Sequence, residues 1–197
     1  MLSRASWDED AVAGDVRDYV TTAFADPDAV LVVDETGDVK KGVATVGVQR
    51  QCFGTAGRIE NSQVAVYLTY AAVRGHALID GALYLPKSWT EDPSRRVRAG
   101  VPDDIEFATK PVLAQRMIVD ALDALDALDA GVLASWVAVD EVYGGHCAAQ
   151  CLPAPWRRVR ARRGAQPLRG HRAVSGGCPG GGDAHVRVAA PVGRPRQ

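Results

Sequence analysis

Several stretches of the chain have the hydrophobic pattern of β-strands. Ala29–Val33 (AVLVV) and Val132–Val139 (VLASWVAV) are almost continuously apolar, which is typical of strands buried on both faces of a sheet. Gln63–Ala72 (QVAVYLTYAA) is rich in the β-branched and aromatic residues that favour strands. Val43–Gln51 and Ala77–Leu85 are predicted as further strands, and Gly-containing turns separate these segments.

Two other segments carry apolar residues at helical spacing. The first begins at the capping box Ser6–Glu9 (SWDE) and ends at Asp26-Pro27-Asp28. Its predicted buried face consists of Val12, Val16, Tyr19, Val20, Ala23 and Phe24. The second begins at Thr109-Lys110-Pro111 and ends at a predicted cap, Gly131. Its predicted buried face consists of Val112, Met117, Ile118, Ala121, Leu122, Leu125 and Leu128.

The order of these elements predicts the fold class. A helix is followed by the first four strands, a second helix and the last strand. This order matches the leading portion of a ribonuclease-H-like α/β fold, a mixed sheet with flanking helices. We predict such a fold, incomplete on its C-terminal side, for residues 1–145, with Pro86–Ile105 as a surface loop.

Both continuously apolar strands end in an acidic residue. Asp34 follows the first and Asp140 follows the second. Because ligands of open α/β sheets bind at the carboxyl ends of strands, the two carboxylates converge if the strands are neighbours. Paired carboxylates supply the oxygen ligands that Mg²⁺ prefers. The alternative is that Asp34 caps a turn and Asp140 caps a following helix.

The charge distribution divides the chain near Gly145. Residues 1–145 contain 13 basic and 23 acidic residues, a net charge of −10. Residues 146–197 contain ten Arg and one acid, Asp183, a net charge of +9, together with six Pro and eight Gly. We therefore predict that residues 146–197 form a basic, low-complexity and disordered tail.

The composition excludes several other classes of protein. An apolar content of 47% is sufficient for a buried core, which excludes a wholly disordered chain. No apolar run approaches the ~20 residues of a membrane span. The first residues, MLSRASWDED, lack the apolar core of a signal peptide. We expect a cytoplasmic protein without a membrane partner.

Several motifs, taken in order, resemble one protein family. They are VVDETGDVKKG, GVQRQCFGTAGRIENSQVAVYLTYA, ALIDGALYLPKSWTEDPSRR, FATKPVLAQRM and WVAVDEVYGG. Together they extend over roughly residues 6–145. They resemble the DDE-type transposases of bacterial insertion sequences.

The resemblance implies a ribonuclease-H-like catalytic domain that cuts and rejoins DNA at transposon ends. Members hold two divalent ions, Mg²⁺ or Mn²⁺, on an Asp, Asp, Glu triad. The Asp of DETG corresponds to Asp34 and the Asp of DEVYG to Asp140, which become the expected catalytic and metal-binding residues. The third carboxylate is expected on a later helix, but the acids after Asp140 are only Glu141 and Asp183. The resemblance therefore implies a transposase fragment that is inactive as this chain.

The composition of residues 146–197 has three possible explanations. The first is a frameshift between Gly144 and Pro155, because GC-rich DNA that is read out of frame yields an excess of Arg, Pro, Gly and Ala. The codons that can encode Pro155–Arg162 support this explanation. When they are read one base later, they can encode the apolar stretch RGVGYVL. The second is an Arg-rich arm that binds nucleic acid. The third is a zinc site, although its candidate ligands match no usual zinc spacing: His146, Cys147, Cys151, His171, Cys178 and His185.

Candidate DNA contacts lie among the basic residues of the first 145 positions. We predict DNA binding by Lys40, Lys41, Arg58, Lys87, Trp89 and Lys110, with the Trp89 ring stacking on an unpaired base. The alternative is a solvated loop in which Trp89 is docked against the protein.

The leading interpretation is a fragment of a transposase, which resembles an enzyme family. The sequence leaves two other functions as alternatives. One is a non-catalytic fragment that binds DNA or inhibits by associating with intact transposase subunits. The other is a phosphatase with an Asp nucleophile at Asp34. The phosphatase is disfavoured, because Thr36 occupies the position where such enzymes usually carry a second Asp.

Overall fold

The computed structural model describes residues 8–52, 58–127, 134–139 and 188–191. These residues form four helices and six strands. In order they are α1 (Glu9–Ala23), β1 (Ala29–Val39), β2 (Gln49–Cys52), β3 (Ile59–Ala72), β4 (Gly75–Leu83), α2 (Lys87–Thr90), α3 (Pro93–Ala99), α4 (Lys110–Ala127), β5 (Ala134–Val139) and β6 (Val188–Pro191). None of the described helices is long and apolar enough to cross a membrane.

The strands form one mixed sheet in the order β2-β3-β1-β5-β6, with β4 also paired to β3. β1 is antiparallel to β3 and parallel to β5. β2 and β4 pair with different parts of β3, residues 59–62 and residues 65–72. The fold is therefore a mixed α/β sheet with helices, as the sequence predicts.

The main core packs α1 and α4 against the sheet. It includes Val20 of α1, Leu31 of β1, Leu68 of β3, Ile118 of α4 and Val137 of β5, all at most 4% exposed. Side chains alternate between the two faces of a strand. Since Leu31 and Val33 of β1 point into this core, the residues next to them point away from it. Asp34 is one of these outward-facing residues.

β1 is longer than the sequence predicts. The apolar run suggests an end at Val33, but each residue from Val30 to Val39 has an antiparallel partner in β3. This pairing supplies hydrogen bonds that the polar sequence DETGD does not reveal. Asp34 therefore lies within a strand, and the alternative that it caps a turn is wrong.

The strand predicted from Val43 is much shorter in the structure. Only Gln49–Cys52 is extended, and the preceding residues form bends and a turn. Val43 is 74% exposed, and Gly47 adopts a φ of 76°. A positive φ interrupts a regular strand, which explains the late start of β2.

The N-terminal helix begins later than predicted. Asp8 caps α1, because its side chain accepts a hydrogen bond from the backbone N–H of Ala11 at 3.0 Å. Ser6, the predicted cap, lies outside the described residues. The helix ends at Ala23, close to the predicted stop at Asp26-Pro27-Asp28.

α1 buries only part of the face that the sequence predicts. Val20 is buried and Phe24 packs against the core, but three other residues of that face are 44%, 42% and 72% exposed: Val12, Val16 and Tyr19. Arg17 forms an ion pair with Asp80 of β4 at 3.4 Å. Thr21 is also buried, and its hydroxyl donates to the backbone oxygens of Arg17 and Asp18 within the same helix.

The predicted loop Pro86–Ile105 contains two short helices, α2 and α3. Asp92 caps α3 by accepting a hydrogen bond from the backbone N–H of Arg95 at 2.9 Å. Pro93 is the first residue of α3, a position that suits its fixed φ and missing N–H. The prediction of a loop is therefore wrong here.

The predicted second helix matches α4, which begins at Lys110. Four residues of its predicted face are buried: Met117, Ile118, Ala121 and Leu122. Val112 is half-buried. The surroundings of Leu125, and the positions of Leu128 and Gly131, lie outside what the structure describes.

The outer edge of β5 is covered by β6, which pairs with it in antiparallel register from Trp136↔Pro191 to Val139↔Val188. Four residues of the predicted disordered tail therefore form a strand. The other residues of 146–197 lie outside the described part of the chain, including the candidate zinc ligands. The domain boundary near Gly145 stays a prediction.

Candidate active site

Asp34 lies in β1, two residues after the last described pair between β1 and β5, Val32↔Ala138. On the other side of β1, Asp34 pairs with Tyr67 of β3. The carboxylate is exposed, and its Oδ1 accepts a hydrogen bond from the backbone N–H of Glu35 at 2.8 Å. Asp34 therefore presents carboxylate oxygen at the position where the sequence predicts a site.

Asp140, the second predicted catalytic residue, follows Val139 directly in the chain but lies outside the described residues. Its predicted convergence with Asp34 therefore stays a prediction. Among the residues that the structure describes, no three His, Cys, Asp or Glu side chains are grouped so that they could hold a metal ion. The Asp34 carboxylate has the oxygen chemistry that suits Mg²⁺, but by itself it is not a metal centre.

Glu35 points to the opposite face of β1 and forms a shielded ion pair with Lys110, the first residue of α4. Lys110 Nζ lies 2.8 Å from Glu35 Oε2, and the two side chains are 17% and 14% exposed. The Lys110 ammonium is thus engaged by a carboxylate. It is not presented as a free cation for DNA phosphate, the role that the sequence predicts.

The Tyr84 ring lies beside this ion pair, and a second ring packs against Tyr84. Lys110 Nζ lies 5.5 Å from the centre of the Tyr84 ring, and Tyr84 meets Phe107 edge to face at 6.5 Å. Lys87 Nζ lies 5.2 Å from the centre of the Phe107 ring. Burial raises the pKa of the Tyr84 phenol, and the negative charge of Glu35 raises that pKa further. The cluster connects β1 to the loop before α4.

Of the two predicted arrangements of Trp89, stacking on a DNA base or docking against the protein, the structure shows the docked one. Its side chain is fully buried, and Nε1 donates to the backbone oxygen of Val48 at 2.9 Å. The Arg95 guanidinium lies 3.7 Å from the ring centre and covers it. Arg95 also donates to the oxygens of Val43 and Val48, each at 3.1 Å. The ring is therefore not available to an unpaired base.

The other predicted DNA contacts come from several parts of the chain, after β1, before β3 and at the start of α2. Lys40 follows the far end of β1 and lies 3.7 Å from Asp38 Oδ2. Arg58 lies 2.6 Å from Glu60 Oε1. Lys41 and Lys87 are exposed. Two of these four basic side chains thus have a carboxylate neighbour that reduces their local positive charge.

A depression of about 240 Å³ lies farther along β1. Its lining residues come from β1, β3 and β4: Thr36, Asp38, Gln63, Ala65, Tyr67, Gly81, Ala82 and Leu83. A Cβ atom at Gly81 would approach Tyr67 Cδ1 to 2.8 Å. Gly81 therefore leaves room for the Tyr67 ring, which belongs to the cross-strand neighbour of Asp34.

Sequence reasoning missed Glu35, Tyr84 and Arg95. A usable signal existed for Glu35, because side-chain alternation along β1 places it opposite Asp34 and therefore inward. A half-buried carboxylate then requires a cation. No comparable signal identifies Tyr84 or Arg95, since their partners lie far away in the sequence.

A mixed sheet with flanking helices and an exposed carboxylate on a central strand makes this an α/β protein with a candidate ligand site. Comparison with known families identifies the particular family of α/β proteins. The model of the DDE superfamily endonucleases matches residues 1–174, and the chain belongs to this family. DDE endonucleases act on DNA and generally use divalent metal ions. The matched range extends beyond Gly145, the predicted domain boundary.

A curated relative supports the same assignment. The chain is 26% identical over 143 residues to a protein of Microchaete diplosiphon described as a probable transposase for insertion sequence element IS701. The alignment covers 73% of this chain and 33% of the relative, so the chain spans about a third of the relative's length. No solved structure matches the chain. The predicted relationship to DDE transposases is confirmed.

Proposed function

We propose that the chain is a partial catalytic domain of an insertion-sequence transposase with a ribonuclease-H-like sheet. In this proposal Asp34 and Asp140 hold divalent metal for phosphoryl transfer on DNA. The order β4-β3-β1-β5 supports the fold, because an antiparallel meander is followed by a helix and a strand parallel to β1.

The parallel register carries the proposal for the site. Leu31 pairs with Val137 and Val32 pairs with Ala138, so the two strands advance in step. If this register continued for two more residues, Asp140 would lie beside Asp34. Two carboxylates at adjacent strand ends are suited to Mg²⁺ or Mn²⁺. When bound, a pair of such ions stabilises the attacking and leaving oxygens of phosphoryl transfer.

We further propose that this chain does not cleave DNA by itself. The acids that follow Asp140 in the sequence are Glu141 and Asp183. Glu141 is adjacent to Asp140, and Asp183 lies in the Gly-rich stretch CPGGGDAH. A frameshift would explain why the sequence of residues 146–197 predicts no helix that carries a further carboxylate, and the nucleotide sequence around codons 144–155 tests it directly.

DNA contacts in this proposal come from exposed basic side chains. Lys41 and Lys87 are exposed, and Lys40 and Arg58 contribute after exchanging their carboxylate neighbours for phosphate. The chain could also bind DNA, or inhibit, in association with intact transposase subunits. A gel-shift assay with and without an intact transposase separates this possibility from an isolated fragment.

Mn²⁺ binding to the full chain, followed by electron paramagnetic resonance of the free ion, tests the site. We expect Asp34→Asn and Asp140→Asn each to weaken binding at least about tenfold, since each removes a ligand. Asp38→Asn is the matched control, because Asp38 lies on the same face of β1 and its side chain is 72% exposed. Equal binding by Asp34→Asn and Asp38→Asn would contradict the site.

Nicking of insertion-sequence end DNA tests the proposed inactivity. We expect background cleavage with Mg²⁺ or Mn²⁺ for both the wild-type chain and Asp34→Ala. Cleavage by the wild type that disappears in Asp34→Ala would show that the chain is an active nuclease.

A further inference from the structure

We infer that Glu35 and Lys110 are positioning residues that orient the Asp34 carboxylate. The inference rests on the proposed function, in which Asp34 binds divalent metal. It assigns a role to an ion pair on the opposite face of β1 from the metal site. Neither side chain needs to touch the metal or DNA.

A continuous series of contacts joins the ion pair to Asp34. Lys110 Nζ lies 2.8 Å from Glu35 Oε2, and the backbone N–H of Glu35 donates to Asp34 Oδ1 at 2.8 Å. The residue that Lys110 anchors is therefore the residue whose amide holds one oxygen of the candidate ligand. Fixing Oδ1 in this way sets the direction in which the second oxygen, Oδ2, is presented.

The ion pair ties a second element to the strand that carries the candidate ligand. At Asp34 and Glu35, β1 pairs with Tyr67 and Val66 of β3. Lys110 adds a contact between β1 and α4 at the residue directly after Asp34.

The surroundings of the ion pair shield it from solvent. Both side chains are less than one-fifth exposed, and the Tyr84 ring lies 5.5 Å from Lys110 Nζ. Phe107 packs edge to face against Tyr84. Because removing one partner leaves the other as a poorly solvated charge, the geometry of residue 35 depends on both.

Two simpler roles make different predictions from positioning. If Glu35 only adds negative charge near the metal, neutralising Glu35 weakens cation binding, whereas removing the positive charge of Lys110 strengthens it. If the pair only stabilises the fold, neither change affects the metal affinity of the folded protein. Positioning alone predicts that both changes weaken binding.

The test is Mn²⁺ affinity of the full chain carrying Glu35→Gln, Lys110→Met or both changes. We expect each single variant to bind about tenfold more weakly than the wild type, the typical effect of removing a group that orients a metal ligand. The double variant should be no weaker than the singles, because both act through one contact. Lys110→Arg keeps the charge and should retain most of the affinity.

Asp80→Asn is the matched control, because it removes one partner of another ion pair that is similarly shielded from solvent. It breaks the Arg17–Asp80 ion pair, whose side chains are 16% and 22% exposed, on α1 and β4. We expect it to lower the unfolding temperature without changing Mn²⁺ affinity. Circular dichroism at the assay temperature confirms that each variant is folded. If Lys110→Met does not fold, Lys110→Gln replaces it.

The outcomes separate this inference from the proposed function. Binding that Asp34→Asn weakens, but that Lys110→Met leaves unchanged or strengthens, overturns the positioning role and leaves the metal site intact. Binding that is absent, or insensitive to Asp34→Asn, overturns the proposed function and this inference together. Weaker binding by both Glu35→Gln and Lys110→Met, with Asp80→Asn unchanged, supports the inference.

Discussion

At the scale of single residues, two glycines with positive φ differ in the space around them. Gly47 has a φ of 76°, and a Cβ atom there would lie 2.9 Å from the backbone oxygen of Tyr84. Gly100 has a φ of 69° and no heavy atom within 4 Å of that position. We expect Gly100→Ala to lower the free energy of unfolding by about 1–2 kcal/mol through backbone strain, and Gly47→Ala to lower it by more because of the added clash.

Urea denaturation measures these changes in the free energy of unfolding. Gly14→Ala is a control, because its expected change has the opposite sign. Gly14 lies within α1, with no heavy atom within 4 Å of an added Cβ. Alanine there should raise the free energy of unfolding by about 0.5–1 kcal/mol. A Gly47→Ala protein as stable as Gly14→Ala would contradict the described turn.

The phenol of Tyr84 predicts how stability depends on alkaline pH. Burial, and then the charge of Glu35, raise its pKa above the usual value of 10.0. The folded state therefore favours the protonated phenol. Its contribution to stability is fully present below pH 10 and is lost as the pH rises through the raised pKa.

Tyrosinate absorbance, compared between the wild type and Tyr84→Phe, isolates this titration. Glu35→Gln removes the smaller of the two causes, so the pKa of Tyr84 should fall but stay above 10.0. Titration of Tyr84 below that value in the folded wild type would show that its ring is more solvated than described.

At the scale of elements, Arg95 attaches α3 to the turn before β2. Its guanidinium stacks on Trp89 and donates to the backbone oxygens of Val43 and Val48. Lysine cannot reproduce both a planar stack and a forked donor. We expect Arg95→Lys to lower the free energy of unfolding by about 1–2 kcal/mol.

Arg98→Lys is the control for this substitution, because Arg98 is an exposed residue of the same helix. Its effect should stay within about 0.5 kcal/mol. Chemical denaturation monitored by Trp fluorescence measures both variants. Equal stability of the two would mean that Arg95 contributes no more than a surface arginine.

At the scale of the whole molecule, charge separation along the chain predicts the character of DNA binding. Residues 1–145 carry a net charge of −10, and residues 146–197 carry +9. We expect binding of the full chain to duplex DNA to be independent of sequence and steeply weakened by salt, with the Arg-rich segment neutralising most of the bound phosphates.

Fluorescence anisotropy at several salt concentrations tests this expectation. Replacing five neighbouring arginines with Gln should reduce the slope of log affinity against log salt by about 0.9 for each phosphate that is no longer neutralised: Arg157, Arg158, Arg160, Arg162 and Arg163. Lys40→Gln/Lys41→Gln should reduce it less. The opposite ranking would mean that the exposed lysines of the first 145 residues, and not the Arg-rich segment, contribute most to sequence-independent binding.

The elements that the sequence predicts well are those whose pattern is local. α4 begins at Lys110 and buries Ile118 and Leu122, because an apolar stripe at helical spacing has one favourable way to face a core. The position of Asp34 after an apolar run likewise follows from the chain itself. The family relationship follows from motifs that are read directly.

The features that the sequence predicts poorly depend on distant partners. Trp89 is buried because Val48, 41 positions earlier, accepts its indole N–H. Arg17 faces the sheet because Asp80, 63 positions later, pairs with it. Neither contact has a periodic signature, so the loop prediction is wrong. The predicted face of α1 is correct at Val20 and Phe24, which pack in the core, but wrong at three exposed residues: Val12, Val16 and Tyr19.

The candidate site combines features that the sequence predicts with features that depend on distant partners. The amino-acid sequence alone determined that a carboxylate follows the apolar run Ala29–Val33 and that its motif resembles those of DDE endonucleases. Only the tertiary structure decided that β1 continues through Asp34, since its hydrogen-bond partners lie in β3. It also decided that Glu35 is anchored by Lys110, because an ion pair between two elements forms only after both pack against the same core.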